Sequence, residues 1–509
     1  MSPAPARQTG GALFVALGIL LSRLAGLARQ RMFAHFLGTS AAADAWNAAF
    51  KIPNLLQNLL GEGVLSASFI PVYASLRTQG PEGQAKAREV AGAVAALLGL
   101  LLALFVLLGV TSTPFLIDAI APGFTGERRE LTIQLVRIFF PGIALLVLSA
   151  FCIGVLNSHR RFFLSYAAPV IWNCAQISAL LWGGHSRLGQ HDLALWAAWG
   201  SVAGALLQLL VQLPQVLALL GGLHLSLGRG NADVKGVLSS FFPVLAARGV
   251  VQVSAFLDSF IASWLPLGAV AALGYAQTLY LLPISLFGMS ISAAALPSMS
   301  ESQGDGHERE DALRAQVEHG LRNIAFPVIP TVIAFLVLGQ VACAALFQTG
   351  RFGAKEVHFV GTLLAASSLG VLSATLGRII SSAFYALRDT RTPLRIATIR
   401  VGLGGSLGLF AALWLPAHAG FDPLYGAAGL SLSSALAGIV EFFLLRRKLE
   451  QRIGAVRLDT RWLGKLWAAG LTAAALASFV WHTLDRLGGP LAHPLPRAAV
   501  VLGLFGATY

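Results

Sequence analysis

Apolar stretches close to the roughly 20 residues that a helix needs to cross a bilayer recur about every 35 positions, separated by short polar or Pro/Gly-rich turns. A backbone in hydrocarbon must satisfy its own hydrogen bonds, so such runs specify an all-α, polytopic membrane protein. Thirteen segments fall near 10–36, 44–75, 88–113, 131–157, 162–183, 193–219, 236–264, 268–299, 317–347, 357–386, 393–416, 424–446 and 463–484. A fourteenth, 496–509, is about 14 residues long and too short to span comfortably, as if the chain had been cut before its natural end. Composition agrees: 56% of residues are hydrophobic, 12% are charged and mean hydropathy is +0.71, against roughly 25% charged in soluble domains.

The formal charge of +13 does not point to nucleic acid, because no long basic tract or aromatic nucleic-acid motif accompanies it. Its distribution reads as topology. With a cytoplasmic amino terminus, 21 Lys and Arg residues fall inside, including the run 446–465, against seven outside, which is the asymmetry of the positive-inside rule. The first apolar run contains Arg23, Arg29 and Arg31 and so lacks the clean apolar core of a signal peptide. Cys152, Cys174 and Cys343 are too far apart for a zinc or redox site and read as inert core thiols.

The chain also looks duplicated. Ser66-Ala67-Ser68-Phe69-Ile70-Pro71 closes the second segment much as Ser292-Ala293-Ala294-Ala295-Leu296-Pro297 closes the eighth, and the basic turn at 159–161 is echoed at 388–391. An offset of six segments preserves orientation, so the halves are expected to be parallel repeats about an axis along the membrane normal, a transporter-like plan. The resulting division is 1–221, 222–450 and an appended pair of segments in 451–509.

Ionisable groups inside a bilayer cost roughly 2.5–3.5 kcal/mol each, so they mark function. In the second segment Asp44, Asn47, Lys51, Asn54, Asn58 and Glu62 follow at steps of three or four. They form one polar stripe about 27 Å long. Either these groups pair with one another and hold helices together, or they line a water-filled cavity. Pro53 within the stripe predicts a local break. Arg23 and Arg29 lie nearby without acids in sequence, and an arginine excess needs an anion; the planar guanidinium suits a diphosphate. Arg31 reads as snorkelling to the outer interface. The seventh segment adds Arg248, a candidate cavity residue, and Asp258, a candidate cation or proton site. There is no Walker loop, HExxH, GxSxG or close carboxylate pair. The expectation is a transporter rather than an enzyme, with no cofactor or metal, driven by membrane potential or an ion gradient.

The order and spacing of Ser22-Arg23-Leu24-Ala25-Gly26-Leu27-Ala28-Arg29, Ala43-Asp44-Ala45, Phe50-Lys51-Ile52-Pro53-Asn54-Leu55-Leu56 and Gly61-Glu62-Gly63 resemble the MurJ (MviN) family. Further matches are Ala121-Pro122-Gly123-Phe124, Leu156-Asn157, Leu346-Phe347-Gln348 and Ala383-Phe384-Tyr385 with Thr392-Pro393, so the likeness covers nearly the whole chain. It implies the MOP exporter fold: two six-helix lobes around a central cavity, with two last helices forming a groove for the undecaprenyl tail. The implied activity is lipid II flipping across the bacterial inner membrane by alternating access, with membrane lipids and the cell-wall synthesis machinery as partners. Carried over by position, the substrate residues are Arg23, Arg29, Asp44, Lys51, Asn54 and Glu62.

Departures from the family pattern are Gln30 for an acid, Gln57 for an arginine, and Tyr275-Ala276-Gln277-Thr278 where the family commonly has an Asp-Arg pair. Arg248, Arg378 or Arg400 is expected to restore the lost positive charge. A sodium site known in some relatives would need polar residues at 401–409, which is mostly Gly and Leu. The rival readings are an exporter of another polyprenyl-diphosphate glycan, a non-transporting paralogue acting as a scaffold, and a membrane glycosyltransferase. Retention of the costly stripe argues against a scaffold, and the lack of a catalytic acid or large soluble loop argues against a transferase.

Overall fold

Long apolar runs form long helices throughout the computed structural model, which describes residues 8–222, 224–301, 307–487 and 494–509. The first half comprises α1 (Gln8–Leu37), α2 (Ala41–Leu56), α3 (Ser66–Arg77), α4 (Gly80–Ile120), α5 (Gly126–Ser158), α6 (Phe162–His185) and α7 (Gln190–Leu220). Helix α2 passes into α3 through a π-helical turn, Gln57–Leu65. Then follow α8 (Ala232–Ala262), α9 (Ala269–Pro283), α10 (Ser290–Glu301), α11 (His307–Phe347), α12 (Ala354–Ala386), α13 (Arg391–Leu409), α14 (Leu415–Ala419) and α15 (Gly426–Ile453). Helices α16 (Thr460–Leu487) and α17 (Pro494–Thr508) end the chain. Among the described residues, ten helical segments are long and apolar enough to cross a membrane, and α17 is a shorter apolar helix.

The duplication is visible element by element. Helices α4 and α11 are 41 residues each, and α5 and α12 are 33 residues each. A second π-helical turn, Ile284–Met289, joins α9 to α10 as the first joins α2 to α3. Both of these π-turns follow a proline, Pro53 or Pro283, whose missing N–H perturbs the helical ladder; a third, Phe410–Trp414, joins α13 to α14. Helices α5 and α12 also stop identically. Arg160 (φ 57°) and Arg388 (φ 58°) take left-handed backbone, and the next amides, of Arg161 and Asp389, donate to Leu156 O and Phe384 O at 2.9 Å. This is the six-to-one closure of a Schellman cap.

Two compact units divide at 260/261, inside the last turn of α8. In the first unit α1 and α6 run parallel and touch closely. A Cβ at Gly18 would lie 2.6 Å from Tyr166 Cβ, and one at Gly184 would lie 2.1 Å from the Phe36 ring. Helix α7 packs on α6 through Gly200 and Gly204, against Ala179, Ala175 and Trp172. In the second unit the appended helices α16 and α17 lie on α11, where Ala473, Ala474, Ala477, Ala498 and Val501 bury against Ala325, Ile329 and Ile333.

Candidate functional site

The polar stripe begins where Ser40 Oγ accepts from Ala43 N at 3.3 Å and starts α2. One residue on, Asp44 is fully buried and pairs with Arg128 of α5, Nη1 to Oδ2 3.4 Å. Arg128 also lies over the Phe124 ring at 4.0 Å and donates to Gly123 O at 3.1 Å. The sequence had grouped Asp44 with substrate residues; the structure gives it a protein partner at the helix end. Asn47 bonds back to Ala43 O at 2.8 Å.

Arg29 is the centre of the remaining arrangement. Its guanidinium carbon sits 4.8 Å from the Trp172 ring and 5.9 Å from the Phe50 ring, so α1, α2 and α6 meet there. Phe50 and Trp172 stack at 6.0 Å, and Trp46 and Phe139 complete an aromatic wall around Phe50. Trp172 is fixed by Nε1 donating to Ser201 O of α7 at 3.1 Å. Arg29 Nε is buried with no hydrogen-bond partner. Cation–π contact holds a guanidinium without neutralising it, so the charge stays available to an anion.

Lys51, next in chain to Phe50, hydrogen-bonds Ser259 Oγ of α8 and lies within electrostatic reach of Asp258. Asp258 and Asn54 are exposed, as is Arg23 on α1. Arg23 and Arg29 are six residues apart, about 240° around the helix, so they do not share a face. Glu62 lies in the first π-turn and Arg248 on α8, but both side chains fall outside the described residues. Of the arginines expected to restore charge, Arg400 faces Glu441 at 3.2 Å. Arg378 is exposed, with its stem against Gly288 in the second π-turn. Among the described residues no group of His, Cys, Asp and Glu is arranged to hold a metal.

Sequence reasoning missed Arg128, Trp172, Phe50 and Ser259 as partners. The turn Ala121-Pro122-Gly123-Phe124, set just before a helix start, was the one available signal for Arg128.

A duplicated, all-helical, multi-pass membrane protein with a buried arginine beside a polar stripe has the plan of a membrane transporter. Residues 33–488 match the family model described as "Lipid II flippase MurJ". A lipid II flippase MurJ of Burkholderia cenocepacia is 32% identical, covering 96% of this chain and 94% of that protein. A probable lipid II flippase MurJ of Rhizobium meliloti is 31% identical, covering 96% and 89%. The fold agrees with that of a solved MurJ in an inward closed conformation, TM-score 0.76 at 21% identity over 97% and 98% of the two chains. It also agrees with an inward-facing MATE multidrug resistance transporter of the MOP superfamily, TM-score 0.68 at 16% identity over 87% and 98%. The chain belongs to the MurJ lipid II flippase family.

Proposed function

We propose that this protein flips lipid II, the undecaprenyl-diphosphate-linked peptidoglycan precursor, from the inner to the outer leaflet of the bacterial cytoplasmic membrane by alternating access. The observation that carries the reading is Arg29, held on Trp172 and Phe50 with its Nε unpaired, in a chain of a lipid II flippase family. A diphosphate in a water-poor cavity needs such a charge-assisted donor. Arg23, Lys51, Asn54, Glu62 and Arg248 complete the proposed headgroup path. Asp44, bound to Arg128, supports it from the end of α2.

Asp258 is the proposed coupling carboxylate, since a cation or proton arriving there competes with the Lys51 ammonium. The amino terminus is proposed to be cytoplasmic, and the cell-wall synthesis machinery a partner. Expression in a conditional flippase-depletion strain, with externalised lipid II scored by a periplasmic probe, tests the function. Rescue that is lost in Arg29→Ala is expected. Well-expressed protein without rescue would point to another lipid-linked glycan.

A further inference from the structure

Gln176 of α6 is fully buried, and neither its amide nitrogen nor its amide oxygen has a hydrogen-bond partner. Leaving a buried amide unpaired is costly, and a leucine or methionine there would pack without that cost. The position therefore asks what the amide serves. Helices α1 and α6 are parallel and in register: Gly18 meets Tyr166 early in both, and Gly184 meets Phe36 late in both. This register sets Gln176 beside Ala28 and Arg29. Side chains on a helix tilt toward its amino terminus, which brings both polar ends toward the level of Trp172. The Arg29 guanidinium is indeed found there, 4.8 Å from the Trp172 ring and one turn before Gln176. An N–H without an acceptor, Arg29 Nε, and a carbonyl without a donor, Gln176 Oε1, thus lie on facing helices at one level.

We infer that Gln176 is a positioning residue for Arg29. As the guanidinium turns toward an anion, Gln176 Oε1 accepts from its Nε–H. This bond fixes the plane of the guanidinium and leaves the two Nη groups as a fork, the geometry that binds two oxygens of a diphosphate ester at once. The amide nitrogen supplies a further donor on the same element. The inference rests on Arg29 being a headgroup contact, and the experiment separates the two.

Binding of undecaprenyl diphosphate to the purified full-length protein is measured by native mass spectrometry, with undecaprenol as the control lipid. Gln176→Met should weaken diphosphate binding about tenfold, the effect of losing one charge-assisted hydrogen bond, and leave undecaprenol binding unchanged. Its thermal midpoint should equal or exceed that of the wild type, because an unpaired buried amide has been replaced by an apolar chain of similar shape. In an Arg29→Lys background, which lacks the Nε–H fork, Gln176→Met should have no further effect. Gln176→Asn, which withdraws the amide by one methylene, should show the same loss and guards against a folding defect in the methionine variant. Wild-type affinity in Gln176→Met and Gln176→Asn, or a lowered midpoint with unchanged affinity, overturns the inference while leaving Arg29 in place. Unchanged affinity in Arg29→Ala overturns the reading of Arg29 itself.

Discussion

Asp44 and Asn54 lie on the same stripe, yet the first is buried against Arg128 and the second is exposed. Breaking a buried ion pair leaves an uncompensated charge and costs about 3–5 kcal/mol. Asp44→Ala should therefore lower the thermal midpoint of the detergent-purified protein sharply, and Asp44→Ala/Arg128→Ala should recover part of that loss. Asn54→Ala should leave the midpoint unchanged and reduce lipid II externalisation. Equal midpoints for Asp44→Ala and the wild type would show that the pair is dispensable. The stripe itself was legible because residues three and four apart share a helical face, a property of one segment alone. Its partners were not. Arg128 pairs with Asp44 across 84 positions, and in a chain with 30 Phe and 10 Trp nothing in the one-dimensional pattern singles out Phe50 and Trp172 as the rings beneath Arg29.

At the scale of elements, two of the three π-turns, Gln57–Leu65 and Ile284–Met289, occupy matching places, and each of these is packed through a glycine. A Cβ built on Gly61 lies 3.2 Å from Ala150 Cβ, and one on Gly288 lies 2.8 Å from Thr375 Cγ2. π-Turns concentrate at functional positions, and overpacking one typically costs about 1–3 kcal/mol. Gly288→Val should thus lower both thermal stability and transport, and more severely than Gly61→Ala, where the neighbouring methyl need give only slightly. Matching midpoints and transport for the two variants would remove the packing argument. The start of α13 offers a different test. Asp389 accepts from Thr392 N at 3.0 Å, Thr392 Oγ1 at 2.7 Å and Arg391 N at 3.1 Å, and pairs with Arg452 at 2.8 Å. The bonds from Thr392, with Arg452 adding to them, hold its carboxyl below the usual carboxylate range. A depressed carboxylate contributes stability that is present above its unfolded pKa, about 3.9, and is lost as pH falls through the folded value. Asp389→Asn should therefore melt below the wild type at pH 7, with the gap closing under about pH 3.9; a gap independent of pH would exclude the carboxylate as its source. Most helix positions were readable from hydropathy, but not their ends: α4 spans Gly80–Ile120 where the apolar run suggested 88–113. The π-turns were foreshadowed only by Pro53, because a break in a ladder does not reveal which bond pattern replaces it.

For the whole molecule, the repeat was readable from short matches such as 66–71 with 292–297, since both halves must bury the same kind of apolar face. The split of the compact units at 260/261 was not, because it falls inside one continuous helix, α8, where hydropathy carries no signal of a boundary. No G-x-x-x-x-G-K-S/T loop occurs in the sequence, and the driving force proposed for export is the membrane potential. The diphosphate carries negative charge from a cytoplasmic side that is electrically negative to an outside that is positive. That direction is favoured by about 2.3 kcal/mol per elementary charge at 100 mV. Two such charges gain roughly 4.6 kcal/mol, enough for a leaflet ratio above a thousandfold, unless counter-charges travel with the substrate. In proteoliposomes with a potassium diffusion potential, export toward the positive side should be fast, slow when the gradient is collapsed, and reversed when the gradient is reversed. A rate that follows a sodium or proton gradient at zero potential would instead place the coupling at a bound cation, and Asp258→Asn should then abolish that dependence.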